Sequence, residues 1–223
     1  MGPLDHWASG QKSMSALGRE LSAAEAEQVV PACPEWTVRE VFAHQAGVAA
    51  DLLAGRLEGV ATDPWTQRQV AERADRSLPQ ILDEWDADAA KLLETLAPFG
   101  DDVDRRLVTD LWTHYQDVRG AVGRAGDRDS DLARWAADGL RGFAHKQFRT
   151  AGLDPSSVAF TQDGAAPDGV AVVVDRFEFS RAAVGRRSRD QVRSWGWTVA
   201  DPEPYLPLVA VFAPRADALE EPA

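Results

Sequence analysis

A carboxylate and an imidazole lie one helical turn apart in this sequence, at Asp110 and His114. Residues four apart share a face of a helix, so these two side chains can converge on one point. The same face carries the apolar residues Val103, Leu107, Leu111, Val118 and Ala121. Such a stripe turns toward a core, where an unpaired charge needs a cation, a hydrogen-bonding partner or water. The pair is therefore half of a metal site, or else a solvated aspartate beside a hydrogen-bonded core histidine.

A third candidate ligand, His44, lies in an earlier helix. Thr37 and Glu40 fit a capping box, so we expect a helix from Val38 to about Ala54 with His44 in its buried stripe. A lone histidine in such a stripe is typically a satisfied core residue. Its value as a ligand comes from the carboxylate and imidazole of the later helix.

Four long helices must bring these residues together, and apolar periodicity predicts them over 13–30, 38–54, 77–96 and 104–122. Four such helices indicate a bundle, in which inward-facing side chains from different helices commonly build metal sites. Two histidines and one carboxylate leave coordination positions open on zinc or another divalent first-row ion, as a catalytic site requires. Cys33 is the only cysteine, which excludes a cysteine-rich zinc cluster and an internal disulfide.

Composition narrows the class of protein. The 223 residues carry 36 acidic and 24 basic side chains, a formal net charge of −12, with 44% hydrophobic residues. This acidity argues against nucleic acid or an anionic membrane surface as a partner. No apolar run approaches the length of a membrane span, and the opening residues show no secretory leader. We therefore expect a cytoplasmic globular protein.

After the bundle the residue pattern changes from helical periodicity to short β-branched runs. We therefore predict two domains, 1–126 and 127–223. Short β-branched runs at 158–160, 169–174 and 206–212 predict strands, and 176–193 looks helical with an interruption at Gly185. Together these elements predict a small α+β domain.

Arg186 and Arg187 follow Gly185 in a locally basic stretch. They are either solvated surface or a guanidinium pair that holds a carboxylate of substrate or cofactor. We expect His145 to be a surface or linker histidine.

Three motifs together resemble the mycothiol-dependent maleylpyruvate isomerase family, which is related to the DinB-like metal-binding bundles. The first is Cys33-Pro34-Glu35-Trp36-Thr37-Val38-Arg39-Glu40 leading to His44, the second is Asp110-xxx-His114-xx-Asp117, and the third is Gly185-Arg186-Arg187-Ser188-xx-Gln191. The resemblance implies an α+β protein in which a DinB-like four-helix bundle precedes a small α+β domain. It implies His44, Asp110 and His114 as the ligands of a divalent metal, usually zinc. Asp110 stands where the best-known isomerases have Glu.

The resemblance also implies an enzyme that uses the small thiol mycothiol. Metal coordination lowers the pKa of a thiol, and we expect the resulting metal-bound thiolate to attack a small electrophilic substrate. Addition, rotation and elimination would isomerise a cis double bond, whereas a retained adduct would make the protein an S-transferase. Arg186 or Arg187 is the expected carboxylate-binding, catalytic or cofactor-binding group. Cys33 is expected to be structural, and Asp117 to orient a ligand histidine or to make an ion pair on the helix surface.

Two other functions use the same residues. The bundle could be a non-catalytic ligand-binding or interaction module, in which case its core would be filled and free of metal. It could instead be a metal-dependent hydrolase acting through bound water, in which case turnover would not require a thiol.

Overall fold

The computed structural model describes residues 1–221, within which the chain forms two compact units, Met1–Ala125 and Gly126–Glu221. The helices of the first unit are α1 (Pro3–Arg19), α2 (Ala23–Ala26), α3 (Val38–Ala54), α4 (Asp63–Ala71), α5 (Leu78–Leu96) and α6 (Arg105–Ala121). The elements of the second unit are α7 (Asp131–Thr150), β1 (Val158–Phe160), β2 (Val172–Val174), α8 (Arg176–Ala183), α9 (Arg189–Arg193), β3 (Gly196–Trp197) and α10 (Leu206–Val209). Every helix among residues 1–221 falls short of the length or the apolarity that a membrane span requires.

The four long helices of the first unit form a bundle. Helix α1 packs against α5 and α6, and α3 packs against the same two helices, so the four close a ring around one core. Fully buried apolar side chains from all four helices fill it: Met14, Phe42, Ile81, Trp85, Leu92, Val108 and Leu111. Each such side chain contributes about 1.5–3 kcal/mol by leaving water. The predicted class, a helical bundle followed by a small α+β unit, is confirmed.

Capping decides where the site-bearing helix α3 begins and ends. The Thr37 hydroxyl accepts from the Glu40 backbone N–H, and the Glu40 carboxylate accepts from the Thr37 N–H at 2.8 Å. Gly55 closes the helix in the left-handed conformation, at φ 67°. The predicted bounds of this helix are therefore confirmed.

The prediction for the first helix was wrong. Helix α1 begins at Pro3 and ends at Arg19, instead of running over residues 13–30. Proline suits the first helical turn because its missing N–H would have no partner there. Ser22 and Glu25 then form a capping box of their own, which starts the separate short helix α2.

The second unit is built around a three-stranded sheet in the order β1–β2–β3. Strands β1 and β2 are parallel, and β2 and β3 are antiparallel. Helix α7 packs against α8, β1 and α10. Aromatic side chains pack against one another in this core. The ring centroids of Phe160 and Phe179 lie 5.5 Å apart, and those of Phe148 and Tyr205 lie 4.9 Å apart.

One prediction for this unit was wrong. Residues 206–212 include the short helix α10 instead of forming a strand, because Pro207 lacks the N–H that a strand ladder needs and fits a first helical turn. The strand Gly196–Trp197 was not predicted, because two residues leave no apolar alternation to detect. The predicted helical stretch 176–193 is confirmed, as two helices separated at Gly185, whose φ is 76°.

We predict that Gly18→Ala destabilises the bundle. A Cβ at this position of α1 would lie 2.8 Å from Phe42 Cζ and 3.1 Å from Leu82 Cδ1, both in the packed core. Overpacking of this kind costs about 1–3 kcal/mol. Thermal unfolding followed by circular dichroism measures the loss. The matched control is Gly142→Ala on α7, where a Cβ meets nothing within 4 Å. There the better helix propensity of alanine should raise the free energy of unfolding by about 0.5–1 kcal/mol. Equal effects of the two changes would contradict the packing argument.

We also predict that His145 makes the second unit less stable in acid. Its Nε2 accepts the Val158 backbone N–H at 2.7 Å, which requires the neutral ring. Burial, with Arg141 and Arg149 nearby, lowers the pKa of His145 below its usual value. As the pH drops through the unfolded-state pKa of about 6.5, the unfolded chain therefore binds more protons than the folded chain. The free energy of unfolding consequently decreases as the pH decreases.

His145→Gln keeps an acceptor for Val158 without titrating. Urea unfolding midpoints at about pH 7.5 and about pH 5.5, on either side of the histidine pKa, should differ less in this variant than in the wild type. The same difference in both proteins would show that His145 does not contribute.

Candidate metal centre

Two neighbouring helices of the bundle supply the three candidate ligands. His44 lies on α3, and Asp110 and His114 lie one turn apart on α6, which packs against α3. One ligating atom from each residue lies within 4.8 Å of the other two. The structure therefore brings together the three residues that the sequence predicts as ligands. Their role as ligands stays a prediction.

The distances leave room for an ion. His44 Nε2 lies 3.6 Å from Asp110 Oδ2, and His114 Nε2 lies 3.6 Å from Asp110 Oδ1. Both contacts are too long for hydrogen bonds. Two ligand atoms bound to zinc at about 2.0–2.1 Å, with a near-tetrahedral or wider angle, lie about 3.3–3.6 Å apart. The donor set of two imidazoles and one carboxylate thus suits a divalent metal in type, and each imidazole–carboxylate distance is compatible with a shared ion.

Burial differs among the three side chains. The His44 and His114 side chains are 3% and 10% exposed, whereas that of Asp110 is 37% exposed. Burial by itself would raise the pKa of Asp110, but the His114 and His44 imidazoles and the Gln45 amide hold it well below its usual value. Asp110 is the most exposed of the three side chains, as suits a site that keeps a coordination position for a ligand.

Further polar groups hold the three candidates in place. His44 Nδ1 lies 2.8 Å from Gln69 Oε1, and Gln45 Nε2 donates to Asp110 Oδ2 at 2.7 Å. His114 Nδ1 lies 3.1 Å from Asp117 Oδ2, an electrostatic contact that is not aligned as a hydrogen bond. The sequence predicts this role for Asp117 but does not predict the contacts of Gln45 and Gln69. No sequence pattern indicates that Gln69 contacts His44, because Gln69 lies on α4, which a loop separates from the helix of His44.

Aromatic rings line the cluster. The Trp36 ring centroid lies 5.1 Å from that of His44 and 5.9 Å from that of His114, and the side chain is partly exposed. Trp65 of α4 is buried and meets His44 edge-on, at 6.5 Å. These rings pack against the imidazoles, whose side chains are almost fully buried.

Cys33 belongs to a second possible ligand set. One ligating atom each of Cys33, His114 and Asp117 also lies within 4.8 Å of the others. Cys33 Sγ lies 4.0 Å from Asp117 Oδ2, the far limit of a hydrogen bond to sulfur. His114 would have to use Nδ1 for this set and Nε2 for the first. The two sets therefore compete for one imidazole.

The remaining predicted site residues lie in the second unit. Arg187 is 2% exposed and binds Glu178, at 2.6 and 2.8 Å, and Glu221, at 2.9 Å. Arg186 donates to the Val184 carbonyl at 3.1 Å. A ligand carboxylate at Arg187 would therefore have to displace one of its own glutamates. The predicted role of the two arginines stays a prediction.

Comparison with known proteins identifies the family of the first unit. The family model of the mycothiol maleylpyruvate isomerase N-terminal domain matches residues 7–119, just over half of the chain. No curated protein and no solved structure matches the chain significantly. The matched segment includes His44, Asp110 and His114. The chain therefore belongs to the mycothiol maleylpyruvate isomerase N-terminal domain family.

Proposed function

We propose that this protein is a metal-dependent enzyme that uses mycothiol to act on a small electrophilic substrate, as an S-transferase or an isomerase. The observation that carries the proposal is the convergence of His44, Asp110 and His114, whose ligating atoms lie within 4.8 Å of one another, with the Asp110 side chain partly exposed. Zinc is the first candidate, because nitrogen and carboxylate ligands suit it. The family membership supports the thiol cofactor.

The metal, when bound, supplies a Lewis-acidic position that lowers the pKa of a thiol beside it. The chain contributes the surroundings of that position. His44 and His114 would supply two imidazole nitrogens, and Asp110 would compensate one positive charge while its side chain stays partly exposed. Trp36 packs against both imidazoles. We propose that Arg186 or Arg187 holds a carboxylate of the substrate or of mycothiol.

We predict that the wild type binds one equivalent of zinc and that His44→Ala or His114→Ala abolishes this stoichiometric binding. Loss of outer contacts alone typically weakens a metal site by about 10–100-fold, so loss of a ligand should weaken it by more. Metal analysis after dialysis, with a chelator competition, measures the change. His145→Ala is the control, because this histidine lies in the second unit. Unchanged zinc in the His44 and His114 variants would overturn the assignment.

A further prediction separates the two ligand sets. If His44, Asp110 and His114 hold the metal, Cys33→Ala keeps one equivalent of zinc and Asp110→Ala loses it. The opposite result would assign the metal to Cys33, His114 and Asp117. Asp117→Ala would not distinguish the two ligand sets, because the Asp117 carboxylate contacts His114 in either case.

Titration of the zinc-loaded protein with mycothiol tests the thiol part of the proposal. The expected result is saturable binding that requires the metal and is lost in Asp110→Ala. Turnover without a thiol would indicate a metal-dependent hydrolase instead. A wild-type protein that binds neither zinc nor thiol would indicate a non-catalytic binding module.

A further inference from the structure

A buried carboxylate, Asp51, lies behind His44 on the side away from Asp110. Asp51 is on α3, and its side chain is 0% exposed. It accepts from Arg56 Nε at 2.6 Å, from an Arg68 terminal nitrogen at 2.7 Å and from Gln69 Nε2 at 2.7 Å. Three donors converge on this carboxylate, so both of its oxygens act as acceptors.

This arrangement decides which way the Gln69 amide points. A carboxylate can only accept, so it takes the amide NH₂ and leaves the amide oxygen for the other neighbour. That neighbour is His44 Nδ1, at 2.8 Å from Gln69 Oε1. Gln69 is itself 0% exposed, so water does not offer an alternative partner. Because Asp51 takes the NH₂ group of Gln69, the amide oxygen of Gln69 is left to accept from His44.

The histidine tautomer follows from the amide. Facing an oxygen, Nδ1 of His44 must carry the hydrogen, which leaves the lone pair on Nε2. Nε2 is the atom that points at Asp110. We propose that Asp51 and Gln69 are positioning residues that hold His44 in the Nδ1–H form, ready to donate its Nε2 to a metal. The proposal rests on the metal-binding function proposed above.

Helix α4 can make this contact only because residue 47 is glycine. A Cβ on Gly47 would lie 2.4 Å from Gln69 Cβ and 2.6 Å from Gln69 Cγ. Arg73 further fixes this position by donating to the backbone carbonyl of Gln69 at 3.0 Å. The close approach of α3 and α4 therefore allows the Gln69 amide to lie between Asp51 and His44.

The first test reads the tautomer directly in the metal-free protein. Long-range ¹H–¹⁵N NMR of histidine-labelled wild type should show His44 protonated at Nδ1, and Gln69→Leu should shift the equilibrium toward Nε2–H. A wild-type His44 protonated at Nε2 would overturn the proposal. This measurement does not depend on metal binding, so it stands even if the proposed function fails.

The second test measures zinc affinity by competition with a chromophoric chelator, and the ligand-field spectrum of the cobalt(II) form. Gln69→Leu and Asp51→Asn should each weaken binding about 10–100-fold, as is typical of residues that orient a ligand histidine. Gln67→Leu and Asp63→Asn are the matched controls, since both residues are exposed and lie on α4. They should bind as the wild type does.

A charge exchange separates orientation from simple loss of packing. In the double variant Asp51→Asn/Gln69→Glu, the new carboxylate at position 69 can accept from both His44 Nδ1 and the amide introduced at position 51. Zinc affinity should recover at least about tenfold over Asp51→Asn, with a wild-type-like cobalt spectrum. Thermal unfolding of each metal-free variant checks that it folds. Wild-type affinity in folded Gln69→Leu and Asp51→Asn, or no recovery in a folded double variant, would overturn the proposal while leaving the metal function intact.

Discussion

The candidate site depends on one constraint: a neutral imidazole has one ring lone pair, and the hydrogen-bonding partner of one nitrogen decides whether the other nitrogen carries it. Gln69 presents an oxygen to Nδ1 of His44, which directs the lone pair to Nε2. Nδ1 of His114 lies 3.1 Å from Asp117, without the alignment of a hydrogen bond. The two Nε2 atoms face different oxygens of Asp110.

The surroundings of this cluster show how the bundle tolerates buried charge. An isolated carboxylate in a core costs several kcal/mol, so such groups are paired. Asp51 is balanced by Arg56 and Arg68, whose side chains are 44% and 40% exposed and so keep partial hydration. Its buried position is therefore compatible with folding, and its acceptor oxygens are available to Gln69.

Asp110 faces the imidazoles of two helices, His114 on its own helix α6 and His44 on α3. Its two oxygens each lie 3.6 Å from one Nε2 atom. Gln45 holds one carboxylate oxygen from α3 itself, which couples the position of the acid to the helix that carries His44.

The sequence by itself determined the helical bundle, the bounds of α3, and the identity of the three residues that meet in its core. These follow from local rules, namely capping, apolar periodicity and the shared face of residues four apart. Tertiary structure alone decided the rest. Gln69 reaches His44 across a loop through the close approach at Gly47, and Arg187 is occupied by Glu178 and by the distant Glu221. Contacts between segments far apart in the chain leave no periodic trace, because they depend on how helices pack and not on how each helix forms.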